Sequence, residues 1–256
     1  MIEQVLKDIE ELMAREELRQ AWKVFVRAWN LETKWNESLW SLGYQIALLS
    51  DDKTIMNSFI HGCRLVLEGS PRDAHLLQQL ATLCDTMERF DESLPIYRSM
   101  LRMRLSAGER RNTEYSMATI FLAIGRLQEA RAILSSAIGR IRHERPIFTP
   151  YYGLMGEIEG KLGRWREATS WYDKAIRYDP SETSWPRQCA TLLEKQGQHA
   201  EALRYWDLVL AIPREAIKQA VCDSRRGYWK TGEYMKSQKL AKKHRAICAA
   251  RAGSRN

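Results

Sequence analysis

The sequence has little glycine and proline, with 14 Gly and 7 Pro among its 256 residues. An all-β protein of many short strands needs more of these turn residues, so their scarcity argues against that class. The residues that recur instead, Ala, Leu, Arg, Glu and Gln, favour helix. A hydrophobic fraction of 45% is ordinary for a folded chain and argues against general disorder. We therefore expect an all-α fold.

Long hydrophobic runs are missing too. No apolar stretch approaches the roughly 18 residues that a membrane-spanning helix needs. Residues 1–17 alternate acidic and apolar side chains and lack the basic start and unbroken apolar stretch of a signal peptide. The five cysteines are scattered and form no C-x-x-C pair, which favours reduced thiols at helix interfaces. These absences predict a cytoplasmic protein without a transmembrane segment.

Catalytic and cofactor-binding motifs are absent as well. The chain has no G-x-x-x-x-G-K, G-x-G-x-x-G, G-x-S-x-G or H-E-x-x-H run. None of its five histidines pairs with a second histidine or with a cysteine at metal-ligand spacing. We therefore predict that the protein is not an enzyme and binds no cofactor or metal. An enzyme with a scattered site is the alternative, which a helical array disfavours because it rarely offers a closed pocket.

Positive charge is concentrated near the end of the sequence. The formal net charge is +8. Residues 225–256 hold ten Lys or Arg and one acid, Glu233, whereas the preceding residues hold 30 basic and 31 acidic side chains. The body of the chain is thus nearly neutral and its final segment is basic.

The stretch from Tyr152 to Pro180 contains two helical patterns in series. The first places Tyr152, Met155, Gly156 and Glu159 on one helix face, and the second begins at Trp165 after a Gly-Arg turn. The second pattern ends at Asp179-Pro180, since proline cannot continue a helix. The segment is therefore predicted to be a helical hairpin.

The same template recurs along the chain. A small residue is followed after 7 positions by a turn residue and after 12, 16 and 19 positions by residues that pack in the second helix. Successive units are 34, 38, 37, 38, 34 and 35 residues apart. The first places of the seven units are Ile9, Gly43, Ala81, Ala118, Gly156, Ala190 and Arg225. One hairpin cannot bury its apolar face alone, so the units are expected to stack.

This pattern resembles the tetratricopeptide repeat family, most closely over Tyr152–Pro180. The resemblance implies a right-handed α-solenoid of about seven helical hairpins, forming one superhelical domain over residues 1–256. Within it we expect degenerate repeats at 1–110, regular repeats at 111–213, and a basic capping hairpin and tail at 214–256. Pentatricopeptide repeats, which read RNA, are the alternative family, but units of 34 to 38 residues would spoil a register of one base per repeat.

The resemblance also implies a binding surface. In this family the first helices of the hairpins line a concave face that receives a protein or peptide, so we predict an interaction scaffold or adaptor. The corresponding positions here are Trp40, Tyr44, Gln78, Thr82, Asp85, Tyr115, Thr119, Leu122, Glu157, Arg187, Thr191 and Glu194. The Lys and Asn clamp that some members use for a C-terminal carboxylate is absent from these positions. Trp29, Trp35 and Trp40 are a further candidate anchor patch for a partner.

The basic segment suggests an alternative function. Lys236, Lys239, Lys242, Lys243 and Arg245 interleave with apolar residues at helical spacing, which predicts an amphipathic basic helix after Gly232. Such a helix could solvate the end of the array, or bind nucleic acid, an anionic surface or an acidic protein. Self-association through the end hairpins is also expected of a solenoid.

Overall fold

The computed structural model describes residues 2–31, 36–141, 148–213 and 227–253. Within these ranges the chain forms thirteen α-helices and no strand. The helices are α1 (Ile2–Ala14), α2 (Leu18–Leu31), α3 (Glu37–Leu49), α4 (Lys53–Gly69), α5 (Ala74–Thr86), α6 (Phe90–Leu101), α7 (Ala107–Ala123), α8 (Leu127–Ile141), α9 (Pro150–Lys161), α10 (Trp165–Tyr178), α11 (Ser184–Lys195), α12 (His199–Ala211) and α13 (Gly227–Gly253). The all-α prediction is confirmed.

The chain divides into two compact units, Met1–Ile120 and Phe121–Asn256. In the first unit each of α2 to α5 packs against the helix that precedes it, and α3 also contacts α1 and α5. In the second unit α8 to α12 pack in sequence, α9 contacts α11, and α13 lies against α12 and α11. Helix pairs that contact both their partner and the next pair are what a stack of hairpins requires.

Tight turns with a left-handed residue join the helices of five pairs. The turn residue has a positive φ in each case, at Glu16, Glu88, Gly125, Gly163 and Gly197. The following N–H donates to a carbonyl five residues earlier, with N···O distances of 2.8 to 3.0 Å. This bond closes the end of the first helix in the manner of a Schellman cap. All five are turn positions of the sequence template, whereas in the α3–α4 turn the positive φ falls on Asp51 rather than on the predicted Ser50.

The packing positions of the template are buried. In the hairpin of α9 and α10, Gly156, Ala168, Tyr172 and Ala175 are buried, with Tyr172 only 3% exposed. A Cβ at Gly156 would lie 2.9 Å from the Tyr172 ring, so the small residue allows the two helices to approach. The corresponding residues of the hairpin of α11 and α12 are also buried, and these are Ala190, Ala202, Trp206 and Val209. In these two hairpins the spacing therefore identified the buried packing positions correctly.

In the seventh unit the template predicts a turn at Gly232, seven positions after Arg225. This prediction is wrong. Helix α13 runs without interruption from Gly227 to Gly253, through Gly232. A single glycine inside a helix costs only about 1 kcal/mol relative to alanine, and no proline follows it to end the helix. The remainder of the predicted seventh unit, around Arg225, lies outside the described residues.

Candidate functional site

The predicted groove residues of α3 lie largely in the core of the first unit. Trp40 is 3% exposed, its Nε1 donates to Gln79 Oε1 at 2.7 Å, and its ring centroid lies 4.5 Å from that of Phe59. Trp29 packs against Trp40 at a centroid distance of 5.0 Å, and Tyr44 is half-buried. Trp40 therefore stabilises the core, which is a correction to its prediction as an exposed anchor. Trp35 lies outside the described residues.

Helix α5 presents a polar stripe made of Gln78, Thr82 and Asp85. The Gln78 amide nitrogen donates to Thr82 Oγ1 at 3.2 Å, and the Tyr97 hydroxyl donates to Asp85 Oδ2 at 2.6 Å. Burial raises the pKa of the Asp85 carboxyl, although hydrogen bonds from Ser93 and Tyr97 oppose this shift. All three residues of the stripe are half-buried, so each side chain is only partly accessible to a partner.

The predicted positions on α7 differ in exposure. Thr119 is exposed and donates to the Tyr115 carbonyl at 2.9 Å, while Tyr115 is half-buried. Leu122 is 6% exposed and belongs to the apolar interior, which corrects its prediction as a groove residue.

Glu194 on α11 is the centre of a hydrogen-bond cluster. Its Oε1 accepts from Trp206 Nε1 at 2.6 Å and from Cys248 Sγ at 3.0 Å, and its Oε2 lies 2.9 Å from His244 Nδ1. Burial opposes ionisation of this carboxyl, but the bonds from Cys248, His244 and Trp206 outweigh it, and the pKa is lowered. Helix α13 thus covers Glu194, which was predicted to face a groove. The carboxylate is already engaged within the chain.

A pocket of about 280 Å³ lies where the start of α11 faces α13. It brings together Arg187 of the predicted groove and Lys236 of the predicted basic patch. The Nε atom of Arg187 is enclosed and has no hydrogen-bond acceptor among the described residues. The lining also includes Glu182, Thr183, Ser184, Ser237 and Leu240. The lining thus holds two cations against the single carboxylate of Glu182, together with three hydroxyls and one apolar side chain. This excess of positive charge suits a carboxylate attached to an apolar segment.

The sequence did not predict the hydroxyl and apolar parts of this pocket. Thr183 directly precedes α11 and Ser184 is its first residue, whereas Leu240 lies on α13, 56 residues after Ser184. Only the docking of α13 on the second unit brings them together, and no local spacing signals that contact. Two other positions of this unit were predicted to face the groove. Glu157 is half-exposed, and its Oε1 lies 3.9 Å from Lys161 Nζ. The Thr191 hydroxyl donates to the Arg187 carbonyl.

The basic patch lies on the outer side of α13. Lys236, Lys239, Lys242 and Lys243 are exposed, and Arg245 pairs with Asp207 of α12 at 2.6 Å. The inner side, which includes Ser237, Ala241 and Cys248, is buried.

Comparison with known proteins agrees with this architecture. Residues 149–182, which hold α9 and α10, match the tetratricopeptide repeat family model. The hairpin of α9 and α10 is therefore a tetratricopeptide repeat. No curated protein matches it. The matched repeat is the hairpin in which the sequence template fits best.

Solved structures show the same fold over the chain. A tetratricopeptide repeat protein from Parabacteroides merdae is 13% identical, with a TM-score of 0.61 over 96% of this chain and 98% of that one. The pilF protein of Pseudomonas aeruginosa is 16% identical, with a TM-score of 0.55 over 82% of this chain and 96% of its own. TTC0263, a thermophilic protein of this class in Thermus thermophilus, is 16% identical, with a TM-score of 0.54 and coverages of 75% and 99%. At these identities the likeness shows the fold alone, an α-solenoid of helical hairpins.

Within the described ranges no group of three or more His, Cys, Asp and Glu side chains is placed to bind a metal ion. None of the described helices is both long and apolar enough to cross a lipid bilayer.

Proposed function

We propose that this tetratricopeptide-repeat protein is an interaction scaffold, and that its pocket between α11 and α13 receives an acidic segment of a partner protein. The observation that carries the proposal is that two cations, Arg187 and Lys236, line the same opening. A solenoid of hairpins is in general a protein-binding fold, and the pocket adds a chemical preference. The predicted location in the cytoplasm stays a prediction.

The chemistry of the pocket favours a carboxylate over a neutral peptide group. The guanidinium of Arg187 offers a planar set of donors that matches a carboxylate, and the Lys236 ammonium adds a second charge. Leu240 is 36% exposed at the same opening and can contact an apolar neighbour of the acidic residue. The polar stripe of α5 and the exposed Thr119 of α7 would contact other parts of the partner.

The test is selection of displayed random peptides on the immobilised chain, followed by anisotropy measurements with the selected peptides. We expect enrichment of Asp or Glu beside an apolar residue. Arg187→Ala is expected to weaken binding about tenfold to a hundredfold, because a charge-assisted hydrogen bond contributes roughly 1.5–3 kcal/mol. Arg166→Ala is the matched control, since Arg166 is exposed on α10 and does not line this pocket. Equal affinities of the Arg187→Ala variant and the unsubstituted chain would contradict the proposal.

Nucleic-acid or anionic-membrane binding through α13 is the alternative function. Insertion of α13 into a membrane surface would need a free apolar face. The apolar inner face of α13 is instead packed on α12, and buried Ala241 and Cys248 lie within it. A purely electrostatic contact of the lysines with phosphates is measured in the experiment below.

A further inference from the structure

The outer face of α13 carries three lysines that lie apart from the pocket of Arg187. Lys239, Lys242 and Lys243 are exposed, and we call them the basic face. From Met235 to Gly253 the helix contains no Asp or Glu. Arg245 is paired with Asp207 of the neighbouring helix α12. Helix α13 itself offers Lys239, Lys242 and Lys243 no acidic side chain within that range. The basic face is therefore a concentrated patch of one charge sign.

Apolar side chains accompany these lysines. Met235 is 54% exposed and Leu240 is 36% exposed on the same helix. Each lysine also has a long aliphatic stem that can cover apolar surface. A partner for this face should thus combine negative charge with apolar side chains, which describes an amphipathic acidic helix better than a sugar-phosphate backbone.

Helix α1 of this chain has that chemistry. It contains four acidic side chains and one basic one, Lys7, and the turn after it adds Arg15, Glu16 and Glu17. Asp8, Glu10 and Glu11 are exposed, and we call them the acidic face. On the other side of α1, Ile9 is buried, while Val5, Leu6 and Leu12 remain partly exposed at the edge of the core. The helix thus offers carboxylates flanked by apolar side chains.

We propose that the chain associates with a second copy of itself head to tail, with the acidic face of α1 in one copy against the basic face of α13 in another. Complementary potentials of this kind bring two surfaces together and fix their register. Because the two faces differ, the contact is heterologous, and it can be repeated to give rings or filaments. The proposal does not rest on the Arg187 pocket, since none of the six charged residues of the two faces lines that pocket.

The first experiment measures self-association by sedimentation velocity. At low salt the weight-average mass of the unsubstituted chain should rise with concentration beyond that of a dimer. At about 1 M salt, where the Debye length is about 3 Å, association should weaken at least tenfold. Reversal of either face, by the triple variant K239E/K242E/K243E or by D8K/E10K/E11K, should weaken it at least tenfold at low salt.

The decisive arm mixes the two variants. Each variant alone has two faces of like sign, but an equimolar mixture again offers opposite faces. We expect the mixture to associate, and we expect the chain carrying all six substitutions to associate like the unsubstituted protein. Its net charge is the same as that of the original sequence, so net charge alone cannot explain a restored interaction. Two variants that stay monomeric when mixed would overturn the proposal.

The matched control is R72E/R98E/R104E, three exposed arginines of the first unit whose reversal changes the net charge as much as K239E/K242E/K243E. It should associate like the unsubstituted chain, and circular dichroism should show that all variants keep their helix content. Binding of duplex DNA and RNA is measured with the same set at physiological salt. A chain that stays monomeric at low salt but binds nucleic acid through its lysines would also overturn the proposal. Loss of peptide binding in Arg187→Ala with intact self-association would separate the two proposals.

Discussion

At the scale of single residues, the hairpin turns place the same backbone demand on different side chains. Gly125, Gly163 and Gly197 have φ values of 71° to 79°, whereas Glu16 and Glu88 occupy the equivalent turn position with φ values near 60°. Glycine adopts this left-handed region without a steric penalty, but a residue with a Cβ does not. The two units therefore differ in how well their turn residues suit the turn.

This difference predicts opposite effects of two substitutions. Glu88→Gly should raise the free energy of unfolding by about 0.5–1 kcal/mol, because it relieves left-handed strain, while Gly163→Ala should lower it by about 1–2 kcal/mol. Urea denaturation followed by circular dichroism measures both. Gly139→Ala is the control, since a Cβ there meets no atom within 4 Å and should be neutral or slightly stabilising. If Gly163→Ala were as stable as the original chain, the turn would not need a left-handed residue.

At the scale of secondary-structure elements, α13 is held to the second unit by the Glu194 cluster. Three side chains from two helices, Trp206 on α12 and His244 and Cys248 on α13, bond one carboxylate of α11. The buried Ser237 and Ala241 extend the same inner face. The cluster explains why a helix rich in lysine remains packed on the solenoid.

We predict that Glu194→Ala loosens α13. Loss of hydrogen bonds to a charged group should cost about 1.5–3 kcal/mol, which raises amide exchange across residues 235–252 roughly tenfold to a hundredfold. Hydrogen exchange with mass spectrometry measures it. Glu157→Ala on α9 is the control, because its carboxylate is half-exposed and 3.9 Å from Lys161.

The same cluster should make this attachment sensitive to acid. The pKa of Glu194 is lower in the folded chain than in the unfolded one, so the stabilisation is complete above the ordinary carboxyl pKa and is lost as the pH falls through the folded value. Exchange of α13 should thus rise in the acid range below about pH 4.5 in the original chain. An acid response of the same size in Glu194→Ala would assign it to another group.

At the scale of the whole molecule, the four described cysteines distribute over both units. Cys63 and Cys84 are buried in the first unit, and Cys189 and Cys248 in the second. Burial raises the pKa of Cys63, Cys189 and Cys248 to about 12 and also raises that of Cys84. Because the thiolate is the reactive form, all four thiols should be inert in the folded chain.

Alkylation with iodoacetamide at pH 8 tests this expectation. We predict that peptide mass spectrometry finds none of the four modified in buffer, and all four modified in concentrated urea. Cys63 and Cys84 should become labelled together as denaturant increases, because they belong to one core. Site-by-site detection keeps Cys222, which lies outside the described residues, from affecting the result. Rapid labelling of Cys63 in buffer would show that the first core opens more readily than its burial indicates.

The sequence by itself determined five of the hairpin turn positions and most of the buried packing positions of the template. These properties depend on residues within one or two helical turns, and the spacing of Gly156, Ala168 and Tyr172 records them directly. It also determined the charge asymmetry, since charge requires no contact. Tertiary structure alone decided that Trp40 enters the core, that α13 passes through Gly232 without a turn, and that α13 covers Glu194 while placing Lys236 near Arg187. The physical reason is that periodicity identifies the face of a helix that is buried, whereas the element that buries it is selected by packing between residues far apart in the chain.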